Sequence, residues 1–230
     1  VVQSLAGAHF HQKFMDKPAV ARKIVETGII PVIRADSRDE AHRLIDALKS
    51  GGIDVFEVTL TVPQAIDLIA EIAGSSPDML IGAGTVLDEE TARKCIDAGA
   101  KFIVSPVLNF EIISLCREKK SVVIAGALTP TEILAAWKAG ADFVKVFPVS
   151  TVGGASYLKA VKAPLPHIRF IPTGGISLEN AASFIRAGAE ALGVGGELVD
   201  LNAIRSNRPE TVAEKARQFR EIIQNARKLF

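Results

Sequence analysis

The 230-residue chain has only two cysteines, Cys95 and Cys116, too few for a disulfide framework. Both fall in helix-like segments and read as packed thiols of a reducing cytoplasm. Histidine is also scarce. His9 and His11 lie near the start, His42 on a helical pattern and His167 in a loop, so no cluster of His and acidic residues has metal-ligand spacing. Aromatic residues make up 6% of the chain, its formal net charge is +1, and no basic block stands out. That balance argues against nucleic-acid and membrane-surface partners. No apolar stretch is long enough to cross a bilayer. The first residues lack a basic segment followed by an apolar core, so no signal peptide is expected and the location reads as cytoplasmic.

What is present is ordinary for a globular chain: 48% apolar and 23% charged residues, enough for one large core or two small ones. A junction recurs along it. Lys49-Ser50-Gly51-Gly52 precedes Val55 to Leu60, and Asp97-Ala98-Gly99-Ala100 precedes Phe102 to Pro106. Lys138-Ala139-Gly140-Ala141 precedes Phe143 to Pro148, and Arg186-Ala187-Gly188-Ala189 precedes Ala191 to Gly195. Each reads as a helix stopped by glycine and followed by a short buried strand, the second half of a βαβ unit.

Completing the pattern gives eight strands, starting near Ile29, Val55, Leu80, Phe102, Ser121, Phe143, Arg169 and Ala191. Capping signals at Asp36-Ser37, Asp88, Thr129-Pro130-Thr131-Glu132 and Ser177-Leu178-Glu179-Asn180 open the helices between them. Eight alternating units predict an α/β fold, a single-domain (β/α)8 TIM barrel over residues 18–230, preceded by an N-terminal arm at 1–17 and closed by an amphipathic helix at 208–229. An open doubly wound sheet is the alternative. Its nucleotide-binding form needs a glycine-rich loop after the first strand, and Ile33-Arg34-Ala35-Asp36-Ser37 supplies none.

Lys145 interrupts an apolar run, Phe143-Val144-Lys145-Val146-Phe147-Pro148. Lysine is rarely buried unless paired, and burial favours the neutral, nucleophilic amine. In that hexamer alone, a lysine that reaches solvent or closes an ion pair is the simpler account. Position changes the balance. In a barrel, catalytic groups gather at the C-terminal ends of the strands. Arg34, Glu57 with Thr59, Thr85, Ser105-Pro106, Lys145 and Thr173 all fall at or near such ends. Gly174-Gly175 and Gly195-Gly196 follow strands seven and eight, where barrels often bind phosphate through backbone N–H groups; tight turns explain a lone Gly-Gly equally well.

These segments, in this order and spacing, are Glu57-Val58-Thr59-Leu60, Gly82-Ala83-Gly84-Thr85-Val86, Val104-Ser105-Pro106, Leu128-Thr129-Pro130-Thr131-Glu132, Lys145-Val146-Phe147-Pro148 and Pro172-Thr173-Gly174-Gly175. From about Pro18 to Val199 the chain resembles the 2-keto-3-deoxy-6-phosphogluconate aldolases, which overlap with the 4-hydroxy-2-oxoglutarate aldolases. The resemblance implies a metal-free, cofactor-free class I aldolase of carbohydrate metabolism. It would cleave 2-keto-3-deoxy-6-phosphogluconate to pyruvate and glyceraldehyde 3-phosphate and assemble as a homotrimer. It also implies that Lys145 forms the Schiff base and Glu57 is the general acid/base. Arg34, Thr85 and Thr173 would hold the keto-acid end, Pro106 and Phe147 shape the pocket, and Gly174, Gly175, Gly195 and Gly196 hold the phosphate.

Two positions depart from that pattern. Gly196 stands where many relatives have serine, with Glu197 next to it, and Thr61 stands where many have arginine. Other members have threonine at the second position and an arginine like Arg34 on strand one; Gly196 and Glu197 leave open a 4-hydroxy-2-oxoglutarate or unphosphorylated keto-acid substrate. Another phosphate-binding barrel enzyme, an isomerase or phosphosugar synthase, fits the lysine and glutamate less well. A catalytically silent oligomeric barrel is the reading from a different class.

Overall fold

A computed structural model describes residues 15–228. His9, His11 and most of the expected arm lie outside the described residues. Eight parallel strands form the sheet: β1 (Ile29–Ile33), β2 (Val55–Thr59), β3 (Leu80–Gly84), β4 (Phe102–Val104), β5 (Val122–Ala127), β6 (Phe143–Val146), β7 (Phe170–Pro172) and β8 (Leu192–Val194). Their order is β7-β6-β5-β4-β3-β2-β1-β8. Bridges Phe170–Ala189 and Thr173–Gly193 bring the two ends together, so the sheet is a nearly closed (β/α)8 barrel.

Helices α2 (Arg38–Ser50), α3 (Ala65–Ser75), α4 (Glu89–Asp97), α5 (Phe110–Glu118), α6 (Pro130–Ala139), α7 (Gly154–Lys162) and α8 (Ala181–Arg186) alternate with the strands. Their apolar faces and the outward side chains of the strands make the larger core, from Leu44 and Ile69 round to Phe184. A second core fills the barrel itself. Ile30, Val55, Leu80, Phe102, Val122 and Phe143 point inward, and the helix before β1, α1 (Lys17–Thr27), adds Val20, Ala21 and Ile24 to them. This helix closes the N-terminal end of the barrel, which leaves the C-terminal end as its mouth.

The expected junctions form as read. Gly52, Gly99, Gly140 and Gly188 have φ between +84° and +106°. Around each, two N–H groups return to the last carbonyls of the helix, as in Ala100 N to Cys95 O and Ala141 N to Ala136 O. The helix before β5 ends in the same way with Lys120 in the glycine position, at φ +55°. Ser37, Asp88 and Thr129 cap α2, α4 and α6 through their side chains, and Glu132 completes a capping box.

The fourth expected cap does not form. Helix α8 starts at Ala181, and Ser177 is not its side-chain cap. The Asn180 amide instead bends back, donating to Gly175 O and accepting from Ser177 N, which ties down the loop after β7. Two short elements were not foreseen: a 3₁₀ turn at Val149–Val152 and helix α9 (Leu201–Arg205). Helix α10 (Pro209–Arg227) is the expected last helix, with Val212, Ala216, Phe219 and Ile223 buried. It packs on α2 and α8. An added Cβ at Gly51 would lie 2.5 Å from the Ala216 Cβ, so glycine there permits the close approach.

Lys120 is exposed and held in a conformation that costs an L side chain about 1 kcal/mol. Lys120→Gly is therefore expected to stabilise the protein by up to about 1 kcal/mol. Urea unfolding of both proteins measures the difference, and an unchanged midpoint would refute the expected strain.

Candidate active site

Two-residue alternation turns Phe143 and Lys145 of β6 into the barrel, with Val55, Glu57 and Thr59 of β2 opposite. Lys145 is 4% exposed and Glu57 3%. Lys145 Nζ lies 3.7 Å from Glu57 Oε1. That is too long for a hydrogen bond, and among the described residues this oxygen has no other partner. A buried acceptor without a partner costs about 1–3 kcal/mol, which marks the position as one that stability alone does not explain.

Small residues make room for this pair. A Cβ at Gly84 would fall 2.0 Å from Glu57 Oε1, so the end of β3 accommodates the carboxylate only as glycine. Gly82 likewise makes room for the Phe102 ring. Thr59 is fully buried but occupied, with its Oγ1 2.8 Å from Ile33 O and 2.6 Å from Thr61 Oγ1. Ser105 is buried and accepts from Val107 N. Those two hydroxyls hold the backbone.

The expected residues divide into groups. Phe147 places its ring centroid 5.2 Å from Lys145 Nζ. Thr173 is buried, its N–H bonded to Val146 O, and its hydroxyl occupies the space a Cβ at Gly193 would need. Arg34, Phe147, Thr173, Gly174, Gly175, Gly195 and Gly196 line one cleft at the mouth, together with Val32, Ile176 and Glu197. Thr85, at φ +60°, and Pro106, packed on Gly126, stand outside that lining at the ends of β3 and β4.

The glycine loops are held from outside. Ser150, on the 3₁₀ turn, sits where a Gly175 side chain would be, and Val149 N bonds Thr173 O. Helix α9 brings Arg205 to Asp36, in the loop that follows Arg34, and to Glu40 in the first turn of α2. The Arg205 hydrogen bond holds the Glu40 carboxyl below its ordinary range. Burial pushes the Cys95 and Cys116 thiols up, to about 11 and about 12, so both are inert packing groups, as expected. Among the described residues, no three His, Cys, Asp or Glu side chains gather as metal ligands. His42 pairs with Glu71.

An amine and a carboxylate buried together beneath the mouth of a (β/α)8 barrel place the chain among the barrel enzymes. The family model for KDPG and KHG aldolases matches residues 20–214. The 2-dehydro-3-deoxy-phosphogluconate aldolase of Haemophilus influenzae is 33% identical over 204 residues, 89% of this chain and 96% of that one. The KHG/KDPG aldolase of Escherichia coli K12 is 34% identical over 86% of this chain and 93% of its own. Among solved structures, the KDPG aldolase of Legionella pneumophila, with pyruvate captured as a covalent carbinolamine, superimposes with a TM-score of 0.80. It is 31% identical and covers 86% of this chain and 96% of that one. The chain belongs to the KDPG and KHG aldolase family, and it is an aldolase.

The atoms of Glu57 that a Gly84 side chain would meet are Oε1, Cγ and Cδ, at 2.0, 2.4 and 2.5 Å, so the buried side chain would have to move as a whole. Gly84→Ala is therefore expected to lower the melting temperature and to push the carboxylate away from Lys145. A crystal structure of the variant measures the separation, and a thermal melt checks the fold. An undisturbed 3.7 Å contact would contradict this account of Gly84.

Proposed function

We propose that the protein is a class I aldolase, in which Lys145 holds a 2-keto-3-deoxy-4-hydroxy acid as a Schiff base and Glu57 moves the protons. The observation that carries this reading is the buried Lys145–Glu57 pair, with Glu57 Oε1 otherwise unpartnered. The covalent carbinolamine of the Legionella relative supports the same chemistry here.

The Lys145 amine adds to the C2 ketone. Glu57 supplies and removes protons as the carbinolamine forms and loses water, leaving an iminium. Glu57 then takes the proton of the C4 hydroxyl. The C3–C4 bond breaks, its electron pair moves into the iminium, and an aldehyde leaves. Protonation of the enamine at C3 and hydrolysis release pyruvate and restore the amine. Arg34 and Thr173, with Thr85, hold the carboxylate of the substrate, and Phe147 and Pro106 bound the pocket. The depth of the pair beneath the mouth keeps bulk water from the intermediate.

The names of the relatives make 2-keto-3-deoxy-6-phosphogluconate the reference substrate. Glu197 in the lining of the distal cleft favours a second reading, an unphosphorylated keto acid. The proposed assembly is a homotrimer. Leu87, Val107 and Phe110 are 49–57% exposed, and the Asn109 amide joins their two loops by donating to Leu87 O. Exposed apolar side chains placed together are suited to burial against another copy. No helix among the described residues is long and apolar enough to cross a membrane. The unpaired thiols support a cytoplasmic location.

Borohydride reduction in the presence of pyruvate is expected to leave a pyruvyl adduct on Lys145, read by peptide mass spectrometry and missing in Lys145→Ala. A silent barrel gives no adduct at saturating pyruvate, and that result would sink the proposal. Glu57→Gln keeps the shape of the side chain and removes its base. Turnover is expected to fall about 10²–10⁴-fold with the adduct retained, and full activity would take Glu57 out of the mechanism. Phe110→Glu is expected to lower the mass measured by light scattering; an unchanged mass argues against this face as the contact.

A further inference from the structure

We propose that Thr59 and Thr61 are positioning residues, which set the place of Arg34 by fixing the peptide carbonyl that precedes it. The proposal rests on the aldolase reading above, in which Arg34 holds the substrate carboxylate.

Arg34 is the first residue past β1, and among the described residues its guanidinium has no hydrogen bond or ion pair. It is exposed and lines the cleft with Thr173. Its rotamers are free, so its reach is set by where the backbone starts it. Beyond Arg34 the chain is tied by Asp36 N, which donates to Glu40 Oε2, and by Arg205. Those ties lie at the surface, where solvent screens them. Before Arg34 the tie is buried. Thr59 Oγ1 lies 2.8 Å from Ile33 O, and Thr59 is fully buried.

Proton counting gives this contact a direction. A threonine hydroxyl has one proton, and a carbonyl oxygen can only accept, so the Thr59 proton points at Ile33 O. Thr61 Oγ1 is 2.6 Å from Thr59 Oγ1, and in that contact Thr61 must therefore be the donor. The bonds run from Thr61 to Thr59 to Ile33 O. Neither hydroxyl keeps a proton for a substrate carboxylate, so neither can be its ligand.

What the pair can do is fix the Ile33–Arg34 peptide against β2, the strand that carries Glu57. Val32 pairs with Glu57 and Ile33 with Val58, and the hydroxyl of the next residue on β2 extends that ladder to the last carbonyl before Arg34. The root of the guanidinium is thereby set relative to the strand of the acid/base. Thr61 is exposed at the mouth, and its bond stops the Thr59 hydroxyl from turning away from Ile33 O.

The test follows borohydride trapping of Lys145 against pyruvate concentration, which gives a half-saturating concentration and a maximal rate. Half-saturating pyruvate is expected to rise about threefold in Thr61→Val and about tenfold in Thr59→Val, with the maximal rate changed by less than about twofold. Thr59→Ser keeps the hydroxyl and is expected to restore the wild-type value. Arg34→Ala alone is expected to raise half-saturating pyruvate about thirtyfold. In that background Thr61→Val is expected to add nothing, because it acts through Arg34; a general structural role would persist there. Thr61→Val changes an exposed side chain, so this cycle decides the matter even if Thr59→Val does not fold. A wild-type value in Thr61→Val overturns the proposal, as does an effect undiminished in Arg34→Ala or one confined to the maximal rate. An unchanged value in Arg34→Ala takes Arg34 off the carboxylate and removes this proposal while leaving the Schiff base standing, whereas no adduct in the wild type removes the aldolase reading itself.

Discussion

The structure depends on holding an amine and a carboxylate together inside an apolar barrel. Removing one partner of a buried pair strands the other and costs about 3–5 kcal/mol. Neither side chain can therefore be treated as an ornament on a finished scaffold. The barrel accommodates them by omission. Gly84 clears the space for Glu57, and Gly193 does the same for Thr173. The floor below is conventional, with Phe102, Phe143, Val55 and Leu80 packed on α1. Polar chemistry occupies the layer nearest the mouth, and apolar packing fills the rest.

The same division explains how the site keeps its shape. Its deep residues sit on strands, where backbone pairing and close packing leave little freedom: Gly126 pairs with Lys145, and Lys145 with Ile171. Its outer residues sit on loops that need other supports. Asn180 braces the loop after β7, Ser150 packs on Gly175, and Arg205 steadies the loop after β1 by gripping Asp36 and Glu40. These supports are polar, exposed and local, so the rim is built to a looser standard than the floor.

Most of the fold was legible because its signals are repetitive. Five of the eight expected strand starts coincide with the observed ones and three fall one residue early, since a glycine stop followed by an apolar run marks five of the boundaries, before β1, β2, β4, β6 and β8. The failures were local. Ser177 resembled a cap, but the Asn180 side chain competed for the same backbone and α8 began later. Helix α9 and the 3₁₀ turn are too short to show periodicity. Lys120 replaced a glycine in a conformation that composition does not advertise. Lys145 and Glu57 could be singled out as polar residues on apolar strands. Their separation could not, because it depends on which strands face each other across the barrel. The side on which Glu197 lies was equally hidden, since a loop residue has no alternation to orient it.

A buried floor and an open rim also change at different rates under substitution. Around Glu57 and Thr173, a single added carbon collides with side-chain atoms at 2.0–2.2 Å. Around Gly195 and Gly196 an added carbon meets nothing within 4 Å. Glu57, assigned to bond breaking, and Thr173, assigned to the substrate carboxylate, therefore lie where close packing penalises nearly any change. The groups assigned to the far end of the substrate lie where one charge can be gained or lost without repacking. A barrel that holds one reaction constant while its substrates vary needs that partition, and Gly196 and Glu197 lie on its exposed side.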